Sequence, residues 1–218
     1  MFLTTDPKTG ILYRENTFDK WILNESRGYF PLGLNSHDKV LDIGGHIGCF
    51  ASRVKLEKEV PVVSVEPESS NYEVLLANSK KFNFMSMRFA VTADDKHGKE
   101  IQLYVNPLKN NALHSLVPVR GRPTQNIDAF GFNILLFRYE PTIIKCDIEG
   151  GEYDLPWLSL ERWPQIRMVI MELHLTHKGH RVKAKEMLDL FYSMRFELKG
   201  RKPHIGEKNW TTLTKWER

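Results

Sequence analysis

KVLDIGGHIGCF, Lys39 to Phe50, starts as a strand and ends as a helix, with three glycines at the joint. Val40, Leu41 and Ile43 suit a strand covered on both faces. Gly44, Gly45 and Gly48 then let the backbone turn tightly and lie against a ligand, while the helix that follows offers unpaired N–H groups. The spacing, with Asp42 ahead, is DxGxxxG. A dinucleotide site needs GxGxxG to seat a pyrophosphate, and a P-loop needs a Gly-Lys-Ser/Thr ending. Neither is present, so a ligand held at this turn is not gripped by phosphate.

The next strand, Val62 to Glu66 (VVSVE), ends on an acidic residue about 20 residues beyond the turn, where nucleotide-binding α/β folds accept ribose hydroxyls. Asp42 and Glu66 together point to an adenosine ligand without a pyrophosphate, and S-adenosylmethionine meets that description. Its ribose suits Glu66, its ammonium suits acidic groups near Asp42, and its adenine is expected toward the turn holding Asp94 and Asp95. Gly44, Gly45, His46, Gly48, Pro67 and Asp147 complete the expected cofactor-binding set.

Around this core, short apolar runs alternate with longer segments of helical spacing, the pattern of parallel strands joined by crossover helices. Strands are expected at Lys39–Ile43, Val62–Glu66, Met85–Val91, Thr142–Asp147 and Met168–Leu173, and helices at Ile47–Lys58, Ser69–Phe82, Ile127–Arg138, Tyr153–Trp163 and Arg181–Met194. In the last helix Val182, Met187, Leu188, Phe191 and Met194 share a face by spacing. RFELKGR, KPHIGEK and NWTTLTKWE close the chain as two strands around a Gly-containing turn. The expected fold is α/β and Rossmann-like: a central, mostly parallel seven-stranded sheet with helices on both faces and a C-terminal antiparallel hairpin. One domain spans residues 1–218 and includes an N-terminal helical or loop segment over 1–35. Glu100–Val105 reads as an extra strand, and 106–125 as a long loop suited to a substrate.

No apolar run is long enough to span a bilayer, and charges crowd the first 31 residues, so a cytoplasmic protein with no membrane partner is expected. The two cysteines, Cys49 and Cys146, read as reduced packing residues. With 31 Lys plus Arg against 27 Asp plus Glu, the charge argues only weakly for an anionic partner. The sequence leaves the oligomeric state unknown.

VLDIGGHIGCFA, VVSVEPESSNYEVLLAN, IIKCDIEGGEYDLPW and MVIMELH, in this order over Lys39 to His174, resemble the FkbM-type methyltransferases, class I enzymes that mostly methylate sugar hydroxyls. KCDIEGGE resembles the K-(I/V)-D-(V/I)-E-G-x-E signature almost residue for residue. The departure is at Gly45 and His46, where such sequences usually carry Ala and Asn. The resemblance implies O-methylation of a sugar or small-molecule hydroxyl.

A hydroxyl acceptor must lose its proton, to a base or on a metal. Asp147, Glu149, Glu172 and His174 follow two neighbouring strands and are the expected catalytic set, with Asp147 facing the methyl donor and Glu149 or His174 as base. No metal is favoured; if one binds, Asp147, Glu149 and His174 suit a divalent ion such as Mg or Mn. Glu152 reads as a charge opening the next helix, Lys145 as a strand residue whose tip snorkels or pairs, and His177 and His180 as loop histidines.

Two other readings stand beside this one. Basic residues from Lys178 to Lys202 and Lys109, Arg120 and Arg122 in the long loop suit a nucleic acid methylated at a ribose hydroxyl. No NPPY-like tetrapeptide marks base methylation. A non-catalytic S-adenosylmethionine-binding module is the other, against which stands the full set of costly carboxylates.

Overall fold

The computed structural model describes residues 2–30, 32–106, 111–176, 178–199, 203, 205 and 211–218. Near the N-terminus β1 (Thr4–Thr5) pairs antiparallel with β2 (Leu12–Tyr13), and α1 (Asp19–Glu25) follows. Then come β3 (Val40–Ile43), α2 (Cys49–Glu57), β4 (Val62–Val65), α3 (Ser69–Phe82), β5 (Met85–Met87), β6 (Ala90–Thr92), β7 (Glu100–Tyr104), β8 (Thr124–Gly131), α4 (Phe132–Tyr139), β9 (Ile143–Cys146), β10 (Met168–His174), α5 (Lys178–Ser193), β11 (Glu197–Lys199) and β12 (Thr211–Glu217).

The expected seven-stranded sheet is present, in the order β11-β12-β10-β9-β3-β4-β5. Every residue of β3, β4 and β9 is buried, as strands covered on both faces must be. From β3 the chain winds outward through β4 to β5, then returns to build β9 and β10 on the other side. The order therefore reverses between β3 and β9, and a crevice opens beyond their carboxyl ends. Register sets Ile43 opposite Cys146, so Gly44 faces Asp147 across the break. The hairpin strands are antiparallel, with β12 between β11 and β10; the glycine-containing turn expected between them falls outside the described residues.

Four local expectations are corrected. The strand expected over Met85–Val91 is two: β5 stays in the main sheet, and β6 enters a separate three-stranded sheet with β8 and β7 after Phe89 turns inward to stack on Phe130. The helix expected over Ile127–Arg138 begins only at Phe132. Ile127, Ala129 and Gly131 are buried in alternation with exposed Asn126 and Asp128, and antiparallel pairing with β7 overrides the helical spacing. Tyr153–Trp163 is not one helix but two 3₁₀ turns, Gly151–Asp154 and Trp157–Arg162. Pro156 cannot donate, and it holds Leu155 in extended conformation. Val182, placed by spacing on the apolar face of α5, is 49% exposed, whereas Ala184 and Phe191 are fully buried.

The main core lies on one face of the sheet, where Trp157 packs on Phe132 and Phe191, and Phe191 stacks on Trp216. Cys49 and Cys146 are free and buried in the packing, and burial pushes both thiols up. Among the described residues no helix is long and apolar enough to cross a membrane.

Candidate functional site

The turn after β3 forms one wall of an open cavity. Gly44 and Gly45 both donate their N–H groups to the Val65 carbonyl, at 3.0 and 2.8 Å. Gly44 has φ +79°, and a Cβ there would lie 1.8 Å from the Asp147 carbonyl oxygen. Gly48, also left-handed, does not line the cavity; a side chain there would strike Leu75.

His46 is left-handed as well, with φ 50°. Its N–H donates to Glu66 Oε2 at 2.9 Å, and its ring Nε2–H donates to the Asn111 carbonyl at 3.0 Å. Burial and, more weakly, Arg14 push the imidazole down to about 4 despite Asp19, so the ring is neutral. The residue in the usual Asn position thus ties the turn to the long 106–125 segment. The Asn111 carbonyl also accepts from the Asn71 side chain, and the Asn111 amide donates to Asp19, itself bonded to Arg14.

Glu66 lines the cavity with each oxygen already accepting one N–H, from Glu68 and His46. A second lone pair on each oxygen is left for a ligand. Burial pushes its carboxyl up to about 7 against those two hydrogen bonds. Pro67 lines the cavity beside it.

Asp42 and Asp94 stand elsewhere. Asp42 is fully buried behind the turn, accepts the Ser64 hydroxyl at 2.6 Å and lies 3.5 Å from Lys145 Nζ. Asp94 accepts the Asn133 N–H at 3.0 Å and its side-chain amide at 2.6 Å, capping the start of α4. Phe89, Ala90 and Val91 form the cavity wall on that side.

The other end of the cavity collects charge. Lys145 donates to the Gly44 carbonyl at 2.7 Å and stands 3.5 Å from both Asp42 and Asp147. Burial opposes its charge, but Asp147 and Asp42 raise the ammonium further than burial lowers it. Lys145 therefore pairs, one of the two roles its position suggested. Asp147, Glu149 and His174 converge: His174 Nε2 is 3.1 Å from Glu149 and 3.8 Å from Asp147. Glu152 does not open a helix as a surface charge. It is fully buried and accepts from the Gly150 N–H at 2.8 Å, the His174 N–H at 2.8 Å and the His174 ring at 3.1 Å. Burial works against a charged His174, but Glu152 and Glu149 hold the imidazole well above its ordinary value. His180 is buried against Tyr153 rather than free in a loop, and His177 lies outside the described residues.

Glu172 accepts the Tyr29 hydroxyl at 3.3 Å, and burial and Asp147 push it up to about 7. Glu25, on α1, was not foreseen; it lines the cavity, and burial, Glu172 and Asp147 push it up to about 8. Tyr29 and His114 line it too. The sequence signals for these three are weak, because each depends on which distant segment folds over the crevice.

These shifts set a pH dependence. Glu25, Glu66, Glu172 and His174 all have folded values above their unfolded ones, so their stabilisation is full below the unfolded value and lost as pH rises through the folded one. His46 has the opposite sign, but its window closes by its ordinary value of 6.5. The ligand-free protein is expected to melt lower at pH 8.5 than at pH 6.5 by calorimetry; a higher melting temperature at pH 8.5 would contradict the assignments.

Residues 42–198, well over half of the chain, match the family described as "Methyltransferase FkbM domain". No curated protein matches the chain. Several solved structures are similar to it, three of them as follows. The FkbM methyltransferase of Methylobacillus flagellatus has a TM-score of 0.53 at 18% identity, over 88% of this chain and 47% of that one, so the chain spans less than half of its length. The precorrin-6y C5,15-methyltransferase of Geobacter metallireducens has a TM-score of 0.50 at 12% identity, over 99% and 93%. The C-terminal domain of the Rhodobacter capsulatus precorrin-6Y C5,15-methyltransferase has a TM-score of 0.50 at 10% identity, over 98% and 97%.

Proposed function

The chain belongs to the FkbM methyltransferase family, and from that premise we propose that it transfers a methyl group from S-adenosylmethionine to a hydroxyl of a sugar or other small molecule. The observation that carries this reading is the cavity's polarity. Glu66 offers acceptors at one end, and Asp147 and Glu149 with His174 offer a carboxylate pair at the other, so one ligand can lie between a ribose-binding and a reacting end.

S-adenosylmethionine is the donor. Gly44 and Gly45 line the cavity beside it, Glu66 receives its ribose hydroxyls, and Asp147 faces its sulfonium. Asp42 serves at one remove, by holding Lys145 and so the Gly44 carbonyl. Methyl transfer is an in-line displacement, to which positioning contributes most. The acceptor oxygen forms the new C–O bond, the S–C bond breaks with its electron pair on sulfur, and the hydroxyl proton passes to Glu149. His174, charged and donating to Glu149, holds that carboxylate in place.

The test is calorimetry with S-adenosylmethionine, followed by label transfer from it to a panel of sugars, small hydroxyl compounds and oligonucleotides. Absence of donor binding would end the methyltransferase reading, and label on oligonucleotides alone would move it to nucleic acid. Glu66→Ala is expected to weaken donor binding about 10- to 150-fold, the worth of one charged hydrogen bond. An unchanged dissociation constant would remove Glu66 from the ribose.

A further inference from the structure

The geometry points to a divalent-cation site formed by Asp147, Glu149 and the Nε2 atom of His174, of a kind suited to Mn²⁺ or Mg²⁺. One ligand atom from each of these side chains lies within 4.8 Å of the other two. The measured separations from Nε2, 3.1 and 3.8 Å, approach the roughly 3 Å between neighbouring ligands that sit about 2.1 Å from a shared octahedral ion.

The imidazole is aimed by its surroundings. One oxygen of the fully buried Glu152 takes both the backbone N–H and the ring Nδ1–H of His174, and the other takes the Gly150 N–H. The ring is thus fixed by a carboxylate on the side away from the cluster, with Nε2 turned toward Asp147 and Glu149. That carboxylate–histidine arrangement orients a ligating histidine behind a metal.

Access and charge agree. His174 is 3% exposed, while the Asp147 and Glu149 side chains are 25% and 23% exposed, and both line the cavity. An ion therefore enters from the cavity and is enclosed by protein behind. Glu25 and Glu172 stand at the same end, and Lys145, bound to the Gly44 carbonyl, lies 3.5 Å from both Asp42 and Asp147. Two carboxylates with one imidazole suit Mn²⁺ or Mg²⁺ better than a soft metal.

Three protein ligands leave about three of six positions open toward the cavity. Two neighbouring oxygens of one acceptor fill two of them, so the substrate class is a vicinal diol, as in a sugar ring. That assignment of the open positions rests on the methyltransferase reading; the cation site does not. With the cation bound, His174 Nε2 gives up the proton it otherwise donates to Glu149, Glu149 serves as a ligand in place of its role as base, and the hydroxyl proton would leave to water at the cavity mouth.

The test is titration of the full chain with Mn²⁺ alone, followed by electron paramagnetic resonance and calorimetry. One saturable site is expected, displaced by Mg²⁺. Asp147→Asn and Glu149→Gln are each expected to weaken it at least tenfold, and Glu152→Gln about 10- to 100-fold with an unchanged circular dichroism spectrum. Absence of saturable binding at millimolar Mn²⁺ would overturn the inference. So would binding unaltered in the Asp147→Asn/Glu149→Gln double variant. Calorimetry with S-adenosylmethionine in chelator separates the two questions: donor binding without Mn²⁺ binding removes the cation alone, and Mn²⁺ binding without donor binding removes the methyltransferase reading alone.

Discussion

Gly44→Ala is expected to abolish S-adenosylmethionine binding and to lower the melting temperature by about 4–24 °C. A Cβ at this position meets the Asp147 carbonyl oxygen at 1.8 Å and its carbon at 2.8 Å, both main-chain atoms that cannot swing aside. The residue also sits at φ +79°. Left-handed strain costs about 1–3 kcal/mol and overpacking about 1–3 kcal/mol more. At about 2–4 °C per kcal/mol for a chain of this size, the melting range follows. Relief requires β3 and β9 to part at their carboxyl ends, and that displacement moves the Gly44–His46 wall away from Asp147. Calorimetry and differential scanning fluorimetry on the variant check both effects, and a normal melting temperature with normal donor affinity would refute the close approach.

Lys145→Met is expected to destabilise the protein by about 3–5 kcal/mol, the cost of removing one partner from a buried ion pair. Methionine keeps most of the volume and loses the charge. Asp42, 0% exposed, is left with the Ser64 hydroxyl, and the Gly44 carbonyl loses its 2.7 Å donor. Burial already raises Asp42, so in the variant it takes up a proton more readily. Its folded value then lies above the unfolded one, so the lost stability should return as pH falls through the folded value. Urea unfolding of Lys145→Met, Asp42→Asn and the double variant measures the coupling. Additive losses would mean that the ammonium and Asp42 do not interact.

The sheet and the glycine turn were legible because their signals are local. VLDI, VVSV and IIKC are buried on both faces, and each run ends on the residues that the crevice uses. Asp147, Glu149 and His174 could be placed together because two neighbouring parallel strands carry them. What was illegible depends on long-range pairing. Ile127–Gly131 has helical spacing, yet it is a strand because β7 lies beside it. Asp94 follows β6 in sequence, but only the fold shows its carboxylate turned to the start of α4, where it accepts two bonds from Asn133. Glu152 has the sequence of a helix-opening charge; only the fold shows it beneath His174. Glu25 and Tyr29 come from a segment with no family signal, and no spacing rule says that it covers the cavity.

The bonds around Asn111 bear on how the site opens. Its carbonyl receives His46 and Asn71, and its side chain binds Asp19 on α1 and the Phe18 N–H. The N-terminal segment and the 111–116 stretch therefore meet at Asn111 beside the cavity. Each is also held on its own, Arg14 by Ser70 and Asn71 and Leu12 by Asn78 on one side, Ser115 by Tyr104 and by the Glu149 carbonyl on the other, so Asn111 couples the two without being the sole restraint on either. In amide hydrogen exchange, loss of the Asn111 side chain is therefore expected to raise exchange in both segments, although nearly a hundred residues of chain separate them.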